Sequence, residues 1–226
     1  MIKDNLEKVR QTIPNGTRLI AVSKTKPVED LQEAYDAGQR LFGENKALEM
    51  RDKHDALPHD IEWHFIGHLQ KNKIKYIIPF VSLIHSIDSV ELLEAVDKEA
   101  AKHDRSVDCL LQFHIAQEET KFGMDMAEAE NAIVEMRDKG LTHVRIVGVM
   151  GMASNTDNRK QVRTEFAMLK GYFDTLKERY FADEAAFCEL SMGMSGDYDI
   201  AIEEGSTLVR VGSAIFGARN YANVND

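Results

Sequence analysis

The chain has 226 residues, 43% of them hydrophobic and 29% charged, with 14 Gly and 4 Pro; this composition excludes a disordered, collagen-like or low-complexity protein and supports a core that needs no disulfide or metal. With 28 basic and 38 acidic residues the formal net charge is −10, which argues against a nucleic-acid partner while leaving room for a focused basic pocket for a small anion. The longest run free of Asp, Glu, Lys and Arg covers only residues 76–87, well short of the ~20 needed to cross a bilayer.

Ile2, Leu6, Val9 and Ile13 recur at helical spacing, and Pro14-Asn15-Gly16 stops that first helix. No uninterrupted apolar run follows the first residues, so no signal peptide is expected and the cytoplasm is the expected location. Short apolar runs then alternate with helical patterns. The runs are Arg18–Ser23, Arg40–Gly43, Ile61–Gly67, Leu83–Ile87, Val107–Ile115, Val144–Met150, Phe187–Met192 and Leu208–Gly212. Between them, Val28, Leu31 and Tyr35 form a stripe that ends at Gly38, a suitable residue just past a helix end. Asp88 and Glu91 have capping-box spacing ahead of Leu92, Leu93 and Val96. Further helices are expected over Met126–Met136, from Val162 to Tyr180, around Ile200 and Ile202, and from Ser213 onward.

Eight strand–helix units at about 27 residues each match the size of a βα unit, and no Pro/Ser-rich linker interrupts them. The expected fold is α/β: one (β/α)8 TIM barrel over residues 1–226, with an extra N-terminal helix. An open doubly wound sheet is the competing arrangement. Cys109 and Cys188 lie in apolar stretches without ligand spacing, and are read as two buried thiols in a reducing compartment. No metal site is expected.

A barrel of this kind carries its site at the C-terminal ends of the strands. Runs seven and eight each finish on glycine and serine before a helix: Gly193-Met194-Ser195 and Gly212-Ser213. Glycine lets a ligand approach the backbone, and main-chain N–H groups there suit a phosphate. Either loop alone would also serve as an ordinary turn and cap. Arg210 interrupts an apolar strand and must find an acceptor, in a structural ion pair or in a ligand. Lys24 ends the first strand; it either reaches solvent or is a desolvated amine able to attack a carbonyl. Lys26, beside Pro27, is expected nearer solvent. His64, between Trp63 and Phe65, reads more readily as a satisfied core histidine than as a catalyst. His68, His85 and His114 offer no stronger case. A reactive lysine, a two-loop phosphate cradle and a buried arginine suit a phosphorylated aldehyde. The residues alone leave open pyridoxal 5′-phosphate and a phosphosugar aldolase.

The stretches AVSKTKP (21–27), FGEN (42–45), WHFIGHLQKNK (63–73), LSMGMSGDYDIAI (190–202) and GSTLVRVGSAIFGAR (205–219) closely resemble the YggS/PROSC family of pyridoxal phosphate homeostasis proteins. The resemblance runs from about residue 5 to Tyr221. It implies a barrel like the N-terminal domain of alanine racemase, with pyridoxal 5′-phosphate held as a Schiff base on Lys24. By the same resemblance Arg210 faces the pyridine nitrogen, Ser195, Gly212 and Ser213 hold the phosphate, and Asn45 and His64 line the pocket. A permanent cation beside that nitrogen disfavours its protonation and weakens the ring as an electron sink. Alanine racemase also uses a second domain that supplies a tyrosine. The chain ends at Asp226 and offers no motif that places Tyr221 over the cofactor. Binding without efficient turnover is therefore expected, as a cofactor carrier or buffer. PLP-dependent apoenzymes are the candidate partners, and a monomer is expected. A small amino-acid racemase or transaminase is the alternative.

Overall fold

The structure is a computed structural model and describes residues 1–119 and 122–218; Tyr221 lies outside the described residues. Eight parallel strands close into one barrel in sequence order. They are β1 (Arg18–Val22), β2 (Leu41–Glu44), β3 (Glu62–Phe65), β4 (Leu83–Ile87), β5 (Val107–Phe113), β6 (Val144–Gly151), β7 (Glu189–Met194) and β8 (Leu208–Val211). Each expected run matches one strand to within two residues, and the expected closed barrel forms in place of the competing open sheet. Closure is made by β1 against β8, where Ile20 pairs with Arg210 and Ala21 with Val211.

Among the described residues, eight α-helices accompany the barrel: α1 (Ile2–Gln11), α2 (Val28–Asp36), α3 (Ala47–Ala56), α4 (Val90–Ala101), α5 (Met126–Asp138), α6 (Arg159–Tyr180), α7 (Tyr198–Glu203) and α8 (Ser213–Phe216). The extra helix α1 buries Ile2, Leu6 and Val9, and Asn5 Nδ2 donates to the Ile215 carbonyl at 3.1 Å. The unit between β3 and β4 departs from the pattern. It holds only a 3₁₀ helix, Lys71–Tyr76, which buries Ile74 alone before Pro79 breaks the backbone ladder. The cap of α4 is Ser89, whose Oγ accepts the Leu92 N–H at 3.2 Å. Asp88, expected in that role, instead lies 3.6 Å from His68 Nδ1. A full capping box does form at α5, from Asp125 and Glu128.

Two apolar layers result. The larger lies between sheet and helices and holds Trp63, Phe65, Phe113, Phe166 and Phe187. The smaller fills the barrel itself, with Ile20, Leu41, Leu83, Leu110, Val147, Met150 and Leu208. Apolar side chains from several strands plug the interior, so it is packed rather than a pore. Cys109 is buried as expected. Cys188 is exposed, because it precedes β7 at the N-terminal rim of the barrel, outside both layers. Among the described residues no helix is long and apolar enough to cross a membrane, and no three His, Cys, Asp or Glu side chains gather as metal ligands.

Candidate functional site

A pocket of about 270 Å³ opens at the C-terminal ends of the strands, close to the lower end of the ~300–1,000 Å³ range of small-molecule sites. Lys24 comes to it from the end of β1, Asn45 from β2, Met152 from β6, Ser195 from β7, and Arg210, Gly212 and Ser213 from β8. Six of the seven residues named from the sequence therefore meet in one cavity. Lys24, Lys26 and Arg210 line it, and no carboxylate does among the described residues. A protein of net charge −10 thus presents a cationic pocket, the focused field an anion requires.

The first strand reaches this rim under tension that neighbouring side chains hold. Thr25, directly after Lys24, has φ of +64°, a region costly for a β-branched residue. Its N–H donates to Glu49 Oε1 at 2.6 Å. Lys53 Nζ donates to that same Glu49 oxygen, to Glu44 Oε1 and to the Ser23 carbonyl, each at 2.7 Å. Ser23 Oγ also donates to Glu44 Oε1 at 2.6 Å. Burial pushes the Glu44 carboxyl up to about 7, opposed by the Lys53 ammonium and reinforced by the Glu49 charge. The four side chains clamp the backbone that carries Lys24. The sequence gives little sign of them, because Lys53 lies on α3, a helix whose apolar stripe is weak.

Lys26 is not loose in solvent as its position suggested. Its Nζ donates to the carbonyls of Phe216, Gly217 and Ala218 at 3.0, 3.3 and 2.9 Å. That ammonium caps the C-terminal end of α8, where cations are favoured. Lys26 is thus committed to the backbone.

Two loops make the other wall. The Gly212 N–H donates to Ser195 Oγ at 3.2 Å and stitches the β7 and β8 loops together. Gly193 has φ of +97°, and a Cβ there would stand 2.6 Å from the Ala201 Cβ. Only glycine lets β7 turn this tightly against α7. Helix α7 itself begins at Tyr198, so Ser195 lies in the preceding turn, where Asp197 Oδ1 accepts the Met194 N–H at 2.6 Å. On the β2 side, a Cβ on Gly67 would fall 2.4 Å from the Asn45 carbonyl, so close packing fixes Asn45 at the rim. Asn45 Oδ1 is buried and has no hydrogen-bond partner. A buried carboxamide oxygen on a pocket wall calls for a donor from a ligand.

Arg210 is buried at 4% exposure and forms no ion pair among the described residues. Its Nη1 donates to Ser191 Oγ at 2.5 Å and its Nη2 to the Gly151 carbonyl at 3.1 Å. Burial pulls its pKa down to about 10, which Asp197 partly opposes. The structural ion pair considered from the sequence is thus replaced by neutral acceptors. His64 is the residue the pocket does not include. It is buried inside the barrel, its Nδ1 2.8 Å from His85 Nε2, and it borders a cavity at the opposite mouth with Arg18, Asp108, Arg145 and Glu189. His64 pairs with Leu83, at the start of β4, and so sits at the level of that cavity and not at the pocket rim.

These features define the class: a (β/α)8 barrel with a lysine at the end of its first strand and a glycine- and serine-bearing pocket wall from its last two. A sequence profile of the alanine racemase N-terminal domain matches residues 1–220. The chain belongs to that family and, within it, to the YggS/PROSC group. It is 38% identical over 208 residues to the pyridoxal phosphate homeostasis protein of Aquifex aeolicus, covering 92% of this chain and 89% of that one. The Escherichia coli protein of the same name is 35% identical and covers 98% of both chains. Among solved structures, PipY of Synechococcus elongatus without PLP is 35% identical, with a TM-score of 0.88 over 96% of this chain and all of that one. PipY with PLP bound gives a TM-score of 0.84. Alanine racemase of Clostridium difficile shares the fold alone, at 15% identity and a TM-score of 0.73 over 58% of its length.

Proposed function

We propose that this chain binds pyridoxal 5′-phosphate in the pocket at the C-terminal mouth, linked as a Schiff base to Lys24, and serves in intracellular PLP homeostasis as a carrier or buffer. The observation that carries the reading is the convergence of Lys24 with Arg210, Ser195, Gly212 and Ser213 in a pocket lined by three basic side chains and no carboxylate among the described residues. The orphaned Asn45 Oδ1 supports a ligand that brings its own donor. The names of the relatives and the PLP-bound PipY structure support the same ligand.

Pyridoxal 5′-phosphate, when bound, would supply an aldehyde, and Lys24 would supply the amine able to condense with it with release of water. Ser195, Ser213 and the Gly212 main chain hold the phosphate end. Arg210, a buried cation on the same pocket wall, would disfavour a second positive charge on a pyridine nitrogen held beside it. The cofactor is therefore held in a form poorly suited to carbanion chemistry, which fits storage better than turnover. The protein works in the cytoplasm as a monomer, with PLP-dependent apoenzymes as the recipients of its cargo.

The test is a visible absorption spectrum of purified protein with PLP. Lys24→Ala is expected to lose the Schiff-base absorbance, and borohydride is expected to fix the cofactor to Lys24 in the unaltered protein. Unchanged absorbance in the variant removes Lys24 from this role. Turnover of an amino acid at roughly 1 s⁻¹ or more would overturn the carrier reading in favour of a racemase or transaminase.

A further inference from the structure

Four buried polar side chains run across the barrel without a break. Arg210 on β8 donates from Nη1 to Ser191 Oγ on β7 at 2.5 Å. Ser191 Oγ is 2.9 Å from His85 Nδ1 on β4, and His85 Nε2 is 2.8 Å from His64 Nδ1 on β3. One end of the chain lines the cofactor pocket, and the other borders the cavity at the opposite mouth.

The direction of every bond follows from the arginine. A guanidinium only donates, so Ser191 Oγ accepts from it and must send its single proton elsewhere. The acceptor in reach is His85 Nδ1, which is therefore bare. A neutral imidazole with a bare Nδ1 carries its proton on Nε2, and that N–H donates to His64 Nδ1. His64 then carries its own proton on Nε2. Both rings are neutral. Burial lowers His64 to about 3 and His85 well below its ordinary range, and the Arg18 charge acts on both in the same direction. Apolar residues fill the rest of the interior, so packing alone does not require two histidines and a serine here.

We propose that Ser191 and His85 are positioning residues for Arg210: their directed hydrogen-bond chain, anchored by His64, fixes the guanidinium orientation that the bound cofactor meets. The proposal rests on the reading of the pocket as a PLP site. It accounts for His64, which touches the chain and not the pocket.

The test has two arms. In PLP-free protein, nitrogen NMR of labelled histidines is expected to show His85 and His64 neutral at pH 7 with Nδ1 unprotonated. In Arg210→Met the constraint disappears and His85 is expected to populate both tautomers. A protonated Nδ1 on His85 in the unaltered protein overturns the chain, whatever the pocket binds. In the second arm, Ser191→Ala and His85→Phe are expected to bind PLP about 10- to 100-fold more weakly, the range for losing a hydrogen bond to a charged group, with a shifted visible absorption maximum. His85→Asn, which keeps an acceptor near the Nδ1 position, is expected to stay close to the unaltered protein. Equal affinity and an equal spectrum for Ser191→Ala and the unaltered protein overturn the positioning role and leave the pocket reading intact. Failure of the unaltered protein to bind PLP removes the pocket reading instead, and the positioning role with it.

Discussion

Replacing Arg210 by methionine separates a ligand-binding arginine from a structural one. Burial pulls the pKa of this guanidinium from its ordinary value down to about 10, and each tenfold loss of proton affinity corresponds to ~1.36 kcal/mol. The cation thus costs the folded barrel on the order of 3 kcal/mol. Methionine has a similar reach and no charge, and the position pairs with the buried Ile20 where the barrel closes. Its introduction leaves Ser191 Oγ and the Gly151 carbonyl without the donors they now have, a loss of roughly 1 kcal/mol each. The balance predicts a PLP-free variant about 1 kcal/mol more stable than the parent, with a midpoint raised by roughly 2–4 °C for a protein of this size. Affinity for PLP moves the other way and falls by at least about tenfold, since a hydrogen bond to a charged group is lost. Urea or thermal unfolding of the PLP-free proteins, followed by PLP titration, measures both quantities. A PLP-free variant destabilised by more than about 2 kcal/mol would show that the guanidinium is a strut of the barrel, and would refute the reasoning.

Lys53→Met removes the cation beside the buried Glu44 carboxyl, which then takes up a proton at neutral pH, and leaves the Ser23 carbonyl without its donor; a loss of roughly 1–3 kcal/mol is expected in urea unfolding. Adding Glu44→Gln to it should recover most of that loss, and no recovery would mean that Lys53 acts through Glu49 alone. Because the folded Glu44 carboxyl is raised from 4.5 to about 7, its contribution to stability is full below pH 4.5 and is lost as pH rises through about 7. The unaltered protein minus Glu44→Gln should therefore decline by on the order of 3 kcal/mol across that window, and a flat difference would place the folded carboxyl near its ordinary value.

Much of the barrel was legible in the chain because its signals are local. Each of the eight parallel strands is a short apolar run, buried on both faces, and Val144–Gly151 or Leu83–Ile87 reads as such without any partner in view. Glycine and serine after β7 and β8 marked one wall of the pocket for the same reason, since turn chemistry is written at the turn. The helix between β3 and β4 was different. In the segment before Pro79 the buried Leu69, Ile74, Ile77 and Ile78 do not repeat along a full helical stripe, so nothing local distinguishes an α-helix from the single 3₁₀ helix that forms. Ser89 displaced Asp88 as the α4 cap because His68, distant in sequence, takes the Asp88 carboxylate.

The amino-acid order by itself determined the eight-unit barrel, the lysine at the end of the first strand and the paired loops of the last two, because strand period, helix stripe and turn residues act over a few positions. Only the tertiary structure decided which polar groups meet. It drew Lys26 onto the carbonyls that end α8, set Lys53 and Glu44 behind Lys24, and turned His64 away from the pocket toward His85. Those outcomes depend on the distance between side chains up to 192 positions apart in sequence, and a buried donor or acceptor takes the partner that closure of the barrel brings within about 3 Å.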